Sequence, residues 1–470
     1  MRINNILVWI LPVVIGACSY NSSYQKPAVP VSAKWSVPLN NLAATESNLP
    51  YLAWWQGFND PTLNQLIESG LVANNGLNMS RGHVEAAEGE LKKVQFQWVP
   101  DLNFVLGYSN NPATGFPGLV ALFAPNYTMN VFSQLKQQKR AEYELAAAKA
   151  EDDAVKLDVI TQISASYFTY LAEVERKQLL QVLADDITHL ADISVKVYQQ
   201  GLSADQNSLE MRAQVNLIRG EQEVIEQNIV VTRNALRYLI NQNPGEITTQ
   251  QKFINLQNQH LVPGQLPMTV LSNRPDMQLA ENKLRASNEG IGLAASQLLP
   301  TVQLDFIGGP VAGNNAYNFP SPLMQNAVDF NDELLKIPAL KLSALGEIDK
   351  AKGLDKVSYY NYIDTLQKAL RNSTNALSAN YRLTNKLQQT ESAQQQLAKS
   401  YNLNERLFQR GIQSKMDTLK SKIALDRIQI NVNQDKLQQL LTIVNLYHEL
   451  AGGYKNGESA EVAEKPRVNG

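Results

Sequence analysis

Two long stretches without proline dominate the pattern of polar and apolar positions. No proline occurs in residues 126–243 or in residues 339–465. Because proline removes a backbone donor and its ring clashes with the preceding turn, such stretches permit very long helices. Near the middle of each stretch lies a glycine between two helix-forming segments, Gly201 in the first and Gly411 in the second.

The pattern therefore predicts two helical hairpins, about 134–241 and about 346–451. Gly201 and Gly411 lie at the predicted turns, where glycine supplies the left-handed residue that a tight reversal needs. Each first arm has about 65 residues, which corresponds to roughly 100 Å of helix at 1.5 Å per residue. Helices of this length are typical of tubular or rod-like assemblies.

Apolar residues inside the arms recur at steps of three and four, which is the spacing of a coiled-coil seam. The seam alone is also compatible with a self-contained coiled-coil pair. The strands described next argue against that alternative, because a simple rod does not need them. The seam residues are Ile163, Tyr167, Tyr170, Val174, Leu183, Ile187 and Leu190 in the first hairpin, and Leu437, Leu441 and Val444 in the second.

The period changes from helical to alternating after two prolines, Pro100 and Pro300. Apolar residues then occupy every second position, which predicts strands. A further strand is expected near 127–132. The alternating residues are Leu102, Phe104, Leu106 and Tyr108 after the first proline, and Val302, Leu304 and Phe306 after the second.

The two prolines lie 200 positions apart, and at that offset Val84 matches Leu284 and Leu91 matches Ile291. This spacing predicts a duplication of one unit: a helix, a strand pair and a long helical hairpin. The domain boundaries that follow are a signal peptide (1–17), an extended strap (18–60), a first repeat (61–243, strand pair about 101–133), a linker (244–267), a second repeat (268–453, strand pair about 301–345) and a polar tail (454–470).

The amino terminus has the pattern of a secretory signal. Arg2 precedes an apolar segment at 6–15, and the small residues Gly16 and Ala17 come before Cys18. This ending resembles the bacterial lipobox, which implies cleavage before Cys18 and acylation of that cysteine. Ser19 instead of aspartate favours the outer membrane. The alternative is a plain signal peptide with an incidental cysteine.

Composition excludes several classes of function. The net charge of −2 provides no basic field for nucleic acid. One cysteine forms no intrachain disulfide, and the four histidines show no ligand spacing. No phosphate loop, nucleophile elbow or metal cluster occurs in the sequence. We therefore expect no enzyme, no metal and no cofactor other than a covalent lipid on Cys18.

After the signal, no apolar run approaches the 18 residues or so that a spanning helix needs. The other structure that spans a bilayer is a closed β-barrel. We count four candidate strands of about nine to eleven residues, whereas known barrels begin at about eight strands. Either the strands pack elsewhere or several chains pool them, and three chains would supply twelve.

Several short motifs carry a family resemblance over nearly all of the mature chain. In order and spacing they resemble the TolC-type outer-membrane efflux factors, lipoprotein branch. The motifs are Trp55-Gln56-Gly57-Phe58-Asn59-Asp60-Pro61-Thr62-Leu63, Arg274-Pro275-Asp276-Met277, Ala280-Glu281, Ile291-Gly292, Leu299-Pro300, Leu446-Tyr447 and Leu450-Ala451-Gly452-Gly453.

The resemblance implies a mainly α fold with a small β part. It further implies a homotrimer with a twelve-stranded β-barrel in the outer membrane and a long α-helical barrel in the periplasm. Such trimers are passive exit ducts of tripartite efflux pumps, joined through a periplasmic adaptor to an inner-membrane transporter. Two alternatives stay open: a lipid-anchored periplasmic coiled-coil scaffold without a pore, and a protein-secretion duct of the same fold.

The resemblance also implies roles at the hairpin turns. Gly201, Leu202, Gly411 and Ile412 match the tips that meet the adaptor. The two apolar residues have a second interpretation, because a hydrophobic residue often packs beside a helix-ending glycine.

A constriction is expected just inside the tips. Asp417 matches a gating aspartate of the family, which would form a ring of three carboxylates in a trimer. Lys420 stands where the family often has a second acidic residue, so an Asp417–Lys420 ion pair could weaken or replace that ring. Asp417 could instead favour the helix dipole as a first-turn acid. Phe408 and Tyr198 match an aromatic position near the gate and could equally be core residues.

The second strand pair is the least regular part of the pattern. Acidic residues and lysine crowd the segment before Pro338, where the family has a cleaner strand. We expect an insertion or an altered extracellular loop there. The crowded residues are Asp329, Asp332, Glu333 and Lys336.

Overall fold

The computed structural model describes residues 24–27, 49–109, 118–201, 206–256, 268–307, 311–313, 330–336 and 341–455. Cys18, the signal 1–17 and most of the strap lie outside these ranges. So do Leu202, Asp329, Pro338 and most of the tail.

Helices make up most of the described chain, and two of them are very long. Short 3₁₀ turns cover Trp54–Phe58, Phe253–Asn255 and Met268–Asn273. The α-helices are α1 (Pro61–Ala73), α2 (Asn75–Phe96), α3 (Val131–Gln199), α4 (Gln206–Leu239), α5 (Pro275–Ser296), α6 (Leu342–Gln409) and α7 (Lys415–Glu449). The helices α3 and α6 have 69 and 68 residues, as the absence of proline predicts.

Asp60 begins α1 in the way that its sequence predicts. Its carboxylate accepts hydrogen bonds from the backbone N–H of Thr62 at 2.9 Å and of Leu63 at 3.2 Å. Pro61 occupies the first helical position, where a missing N–H costs nothing. Asp60 also accepts a hydrogen bond from the hydroxyl of Tyr167 at 2.7 Å, which ties the start of α1 to α3.

The described strands form one antiparallel sheet in the order β1-β2-β3-β5, with β4 paired to β2. In register, Asp101 faces Asn126 across β1 and β2, and Met129 faces Val302 across β2 and β3. The strands are β1 (Asp101–Ser109), β2 (Gly118–Met129), β3 (Thr301–Ile307), β4 (Val311–Gly313) and β5 (Phe330–Lys336).

The expected strand lengths are wrong in two places. The second strand was expected near 127–132, but it begins earlier, at Gly118, and ends at Met129, so that Val131 and Phe132 belong to α3. It includes Pro125, which pairs with Leu102 of β1. On its other side, β2 pairs with β4 over 118–120 and with β3 over 126–129, so Pro125 lies between these two partners. A missing N–H is tolerated there. In the second repeat, β3 and β5 have only seven residues each, and the three-residue β4 was not expected.

The chain forms two compact units, and each contains segments of both predicted repeats. The first unit comprises the described residues within 1–29, 82–150 and 278–365, including the whole sheet. The second comprises those within 30–81, 151–277 and 366–470. The division into repeats remains a prediction about the origin of the chain.

Aromatic residues form the centre of the second unit. Trp54 stacks on Tyr447 with ring centroids 4.8 Å apart, and Phe58 contacts Phe168 at the same separation. Gly70 allows α1 to approach α3 closely, because a Cβ there would lie 2.3 Å from the side chain of Ile163. The motif around Trp55 and Phe58 is therefore a packing motif.

A buried ion network joins the start of α5 to the end of α7. Arg274 donates to both carboxylate oxygens of Asp276, at 3.0 and 2.8 Å, and to the carboxylate of Glu449 at 2.7 Å. Burial opposes ionisation of Glu449, but hydrogen bonds and charge from His448 and Arg274 outweigh it and lower the pKa of Glu449. The Arg274-Pro275-Asp276 motif thus has a structural role.

No helix in the described ranges combines the length and the apolar character needed to cross a membrane.

Candidate functional site

The ends of α3 and α6 share one geometry, and glycine makes it possible. Gly201 and Gly411 both have φ of 75°, a region that side chains with a Cβ rarely adopt. The N–H of Gly411 donates to the carbonyl of Phe408 at 2.8 Å, and that of Ile412 to the carbonyl of Leu407 at 2.9 Å. This pair of bonds is a Schellman motif.

The first hairpin repeats part of this arrangement. The N–H of Gly201 donates to the carbonyl of Tyr198 at 2.8 Å. Tyr198 and Phe408 therefore occupy equivalent positions in the two hairpins, where the carbonyl of each accepts the hydrogen bond from the glycine that ends its helix. The Tyr198 side chain is 47% exposed, whereas Phe408 is half-buried, with Lys415 Nζ 5.1 Å from its ring centroid.

Ile412 is 68% exposed and so does not pack against the helix that Gly411 ends. Leu202, its counterpart, lies outside the described residues. An exposed apolar side chain at the end of a hairpin suits contact with another protein. That contact stays a prediction for both turns.

Asp417 stands in the first turn of α7, inside a reciprocal cap. Ser414 is the N-cap residue, and its hydroxyl accepts from the N–H of Asp417 at 3.1 Å while donating to the Asp417 carboxylate at 2.6 Å. Lys420 Nζ lies 3.8 Å from the other carboxylate oxygen, and both side chains are about half exposed. The carboxylate therefore serves the helix end in this chain, and a gating role remains a prediction.

The end of α3 and the start of α7 line one groove of about 410 Å³ within the second unit. Tyr401 of α6 lies on the same groove. The α3 and α7 residues along it are charged or polar for the most part: Asp186, His189, Asp192, Lys196, Lys415, Thr418 and Lys422. The structure thus brings the ends of the two predicted hairpins together.

A buried cluster of charges beside this groove escaped the sequence analysis. Lys422 of α7 forms a hydrogen-bonded ion pair with Asp426 one turn later, and its Nζ lies 3.4 Å from Asp186 of α3. The Asp426 side chain is 1% exposed. Within the described chain, the Oδ2 atoms of Asp186 and Asp426 make no hydrogen bond.

One ammonium therefore faces two carboxylates in a poorly solvated place. Burial raises the pKa of Asp426 to about 6, with Asp186 adding to the rise and Lys422 opposing it. The sequence shows the spacing of Lys422 and Asp426, which is that of an ordinary exposed i,i+4 pair. Nothing in the sequence shows that α3 places the carboxylate of Asp186 beside this pair and buries both residues.

Metal ligation has no candidate in the described ranges, where no three His, Cys, Asp or Glu side chains cluster suitably.

Known proteins resemble the chain both in sequence and in fold. Residues 266–452 match the family model of the outer membrane efflux proteins. The probable efflux pump outer membrane protein TtgC of Pseudomonas putida is 24% identical, over 94% of each chain. The open-state MtrE channel of Neisseria gonorrhoeae superposes with a TM-score of 0.80 at 19% identity, over 93% of this chain and 99% of its own. The outer-membrane channel OprN gives 0.77, also at 19% identity, over 92% and 99%.

The superpositions show the fold, which is that of outer-membrane channels with a long helical part. The predicted resemblance to the TolC-type outer-membrane efflux factors is confirmed, since the family model of the outer membrane efflux proteins matches residues 266–452 and with them the Arg274 motif. This is a family of channels and ducts and not of enzymes.

Substitutions in the buried charge cluster should change how stability depends on pH. The folded pKa of Asp426, about 6, exceeds its ordinary value of 3.8. Ionising it therefore costs stability as the pH rises through that window, and the cost persists above pH 6. Asp426→Asn changes the free energy of unfolding relative to wild type. We expect this change to be about 1–3 kcal/mol more favourable to the folded state at pH 7.5 than at pH 4.

Lys422→Met should have the opposite effect and cost about 3–5 kcal/mol at pH 7.5, because two buried carboxylates lose their cation. Lys420→Met, in an exposed pair, is the matched control and should cost less than about 0.5 kcal/mol. Denaturant unfolding in detergent at both pH values measures all three. An Asp426→Asn effect that is the same at pH 4 and pH 7.5 would contradict the assignment.

Proposed function

We propose that the chain is one subunit of a passive outer-membrane exit duct in a tripartite efflux pump. Three copies form the duct, which extends into the periplasm and receives its cargo from a periplasmic adaptor and an inner-membrane transporter. The observation that carries the proposal is the exposed apolar face of β1. Leu102, Phe104 and Leu106 are 64%, 74% and 81% exposed.

These three residues alternate along the strand and so lie on one face of the sheet. Asp101 and Asn103, on the opposite face, are also exposed. A strand that presents apolar side chains on one face and polar side chains on the other suits a wall between lipid and a water-filled lumen. This face argues against the scaffold without a pore, which would place it in water.

The sheet also lacks partners at its edges. Among the described strands, β1 pairs only with β2, and β5 only with β3. Open edges do not occur in the hydrocarbon region, because their backbone groups would remain unsatisfied. Adjacent copies supply the missing partners if β1 of one copy pairs with β5 of the next, and three copies of the four-stranded path close a twelve-stranded ring.

The relatives favour efflux over protein secretion as the task of this duct. TtgC is described as an efflux pump outer membrane protein, and SrpC of Pseudomonas putida as a solvent efflux pump outer membrane protein. Nodulation protein T of Rhizobium leguminosarum bv. trifolii, 22% identical, is named for nodulation and not for a transported substrate. In either task the duct needs no catalytic residue and no cofactor, and the cargo is chosen by the pump.

We propose further that Cys18 is acylated and anchors the duct to the outer membrane. Tyr24 and Lys26 of the strap dock on α5, where Lys26 Nζ lies 2.9 Å from Glu281 and the Arg285 guanidinium lies 5.2 Å from the Tyr24 ring. Cys18 precedes Tyr24 by six residues, so the anchor reaches at most about 20 Å from this dock.

The purified chain should carry the mass of a protein that begins at Cys18 plus its acyl chains. Cys18→Ser should lose this added mass and, since β1 still inserts, should remain in the outer membrane in reduced amount. Intact mass spectrometry and membrane fractionation measure the two effects. A wild-type chain without acyl mass would remove the lipid proposal but leave the duct standing.

Charge on the lipid-facing side of β1 should prevent assembly. Phe104→Asp places three carboxylates in the apolar belt of a trimer, at about 2–4 kcal/mol each or somewhat less. We expect wild-type trimers to conduct ions in planar bilayers and Phe104→Asp to give little trimer. Asn103→Asp, on the opposite face, is the matched control and should assemble and conduct. Monomeric, non-conducting wild-type protein would refute the duct.

Asp417→Ala tests the gate that the family resemblance implies. If three Asp417 carboxylates narrow the mouth, their removal should raise single-channel conductance several-fold. Ser414→Ala serves as the control, because it removes the cap bond to the Asp417 N–H and keeps the charge. Equal conductance in wild type and in Asp417→Ala would leave Asp417 with its capping role alone.

A further inference from the structure

Lys422, Asp186 and Asp426 form a charge cluster between α3 and α7 that the proposed duct does not use. Asp186 lies on α3, whereas Lys422 and Asp426 lie one turn apart on α7, so the cluster links the two helices directly. It lies beside the groove where the ends of the two predicted hairpins meet. A change of charge in this cluster therefore acts on the contact between α3 and α7.

The cluster contains one cation and two carboxylates. The Lys422 ammonium donates a hydrogen bond to Oδ1 of Asp426, and it lies 3.4 Å from Oδ2 of Asp186. The Asp426 side chain is 1% exposed and the Asp186 side chain 18%, so water screens their charges poorly. Ionisation of both acids would leave one buried negative charge without a cation, and a buried group in this situation takes up a proton instead.

Two oxygen atoms show where this proton can lie. Oδ2 of Asp186 and Oδ2 of Asp426 are buried from solvent, and neither makes a hydrogen bond within the described chain. A protonated carboxyl group has an O–H donor, and an ionised carboxylate beside it is an acceptor. Burial raises the pKa of Asp426 to about 6, and a hydrogen bond with Asp186 adds to this rise, although Lys422 opposes it. The two acids therefore lie within hydrogen-bonding reach of each other once one of them is protonated.

Other titratable groups near the cluster belong to α3, α6 and α7. Among these residue types, only histidine ordinarily titrates between about pH 5 and 8, so His189 needs a control. Arg427 follows Asp426 in α7 but donates to Gln214 of α4 at 3.0 Å. The groups that line the neighbouring groove are His189, Asp192 and Lys196 of α3, Tyr401 of α6 and Lys415 of α7.

We propose that Asp186 and Asp426 share one proton, and that this proton fastens α3 to α7 beside the hairpin turns. With the proton bound, the cluster holds one ammonium, one carboxylate and one carboxylic acid, and its net charge is zero. When the proton passes to the solvent, two adjacent buried carboxylates repel each other, and Lys422 compensates only one of them. The contact between α3 and α7 is then weaker, so the hairpin ends are held more tightly in acid than at neutral pH.

Infrared difference spectroscopy of the full-length protein in detergent, titrated from pH 4 to pH 8, detects the shared proton. We expect the wild type to show the C=O stretch of a carboxylic acid that disappears through about pH 6, whereas ordinary aspartates and glutamates lose theirs near pH 4. Asp426→Asn and Asp186→Asn should both lose this step, because the remaining carboxylate then has Lys422 to itself. The remaining midpoint should fall by at least about one pH unit, which is a tenfold lower proton affinity.

Three further variants separate the proton from its surroundings. Asp185→Asn replaces an exposed carboxylate next to Asp186 and should keep the step at the wild-type pH. His189→Gln should also keep it, because a carboxylic acid and not an imidazole gives the signal. Lys422→Met should raise the midpoint, since the cation that opposes protonation is gone.

Denaturant unfolding tests whether the proton fastens the two helices. The ratio of the wild-type unfolding equilibrium constant to that of Asp186→Asn should rise about five- to tenfold between pH 5 and pH 7.5. The reason is that the folded wild type loses a proton in this range which the unfolded chain has mostly lost already. The same ratio taken with Asp185→Asn should stay constant.

The proposal fails if the wild type shows no carboxylic acid that titrates near pH 6. It also fails if Asp186→Asn keeps the wild-type step, because burial of Asp426 alone would then hold the proton. Size-exclusion elution and circular dichroism show that each variant is folded. Neither readout needs ion conductance, so a wild type that does not conduct would refute the duct and leave the shared proton standing.

Discussion

Backbone groups at the two edges of the sheet need hydrogen-bonding partners, and this need governs how the chain assembles. A β-strand presents a row of N–H and C=O groups to its neighbour, and an apolar surrounding cannot satisfy them. In the described sheet, β1 and β5 each use one edge only. Together with the exposed apolar side chains of β1, this makes a single chain an incomplete structure.

The long helices α3, α6 and α7 have defined ends within the chain itself. Ser414 caps the start of α7, and Gly411 closes α6 with two backbone bonds. Close packing occurs where α1 meets α3 and where Trp54 stacks on Tyr447, and the buried apolar cluster continues along α3, α4 and α7. Elsewhere the arms keep polar surfaces, as expected for helices wetted on at least one side.

Charge is used unevenly along this framework. Arg274 is hydrogen-bonded to Asp276 and Glu449, and this network joins the start of α5 to the end of α7. At Lys422, by contrast, one ammonium faces the two carboxylates of Asp186 and Asp426. This imbalance makes stability depend on pH, and it does not lie among the positions that the family resemblance singled out.

Features that depend on local chemistry could be predicted from the order of residues. The absence of proline sets the lengths of α3 and α6, glycine sets their ends, and alternation after Pro100 and Pro300 marks β1 and β3. The resemblance carried by the Asp60 and Arg274 motifs predicted the family whose model residues 266–452 match. Each of these signals follows from the order of residues along the chain, and none depends on which segments pack together.

Which segments contact one another became known from the folded chain. In the fold, β4 pairs with β2, and Pro125 lies inside a strand. Each compact unit contains segments of both predicted repeats. The fold also turned Asp426 from one half of an ordinary i,i+4 pair into a buried acid beside Asp186. The physical reason is that burial and charge compensation depend on what packs against a helix face, and periodicity describes only the face itself.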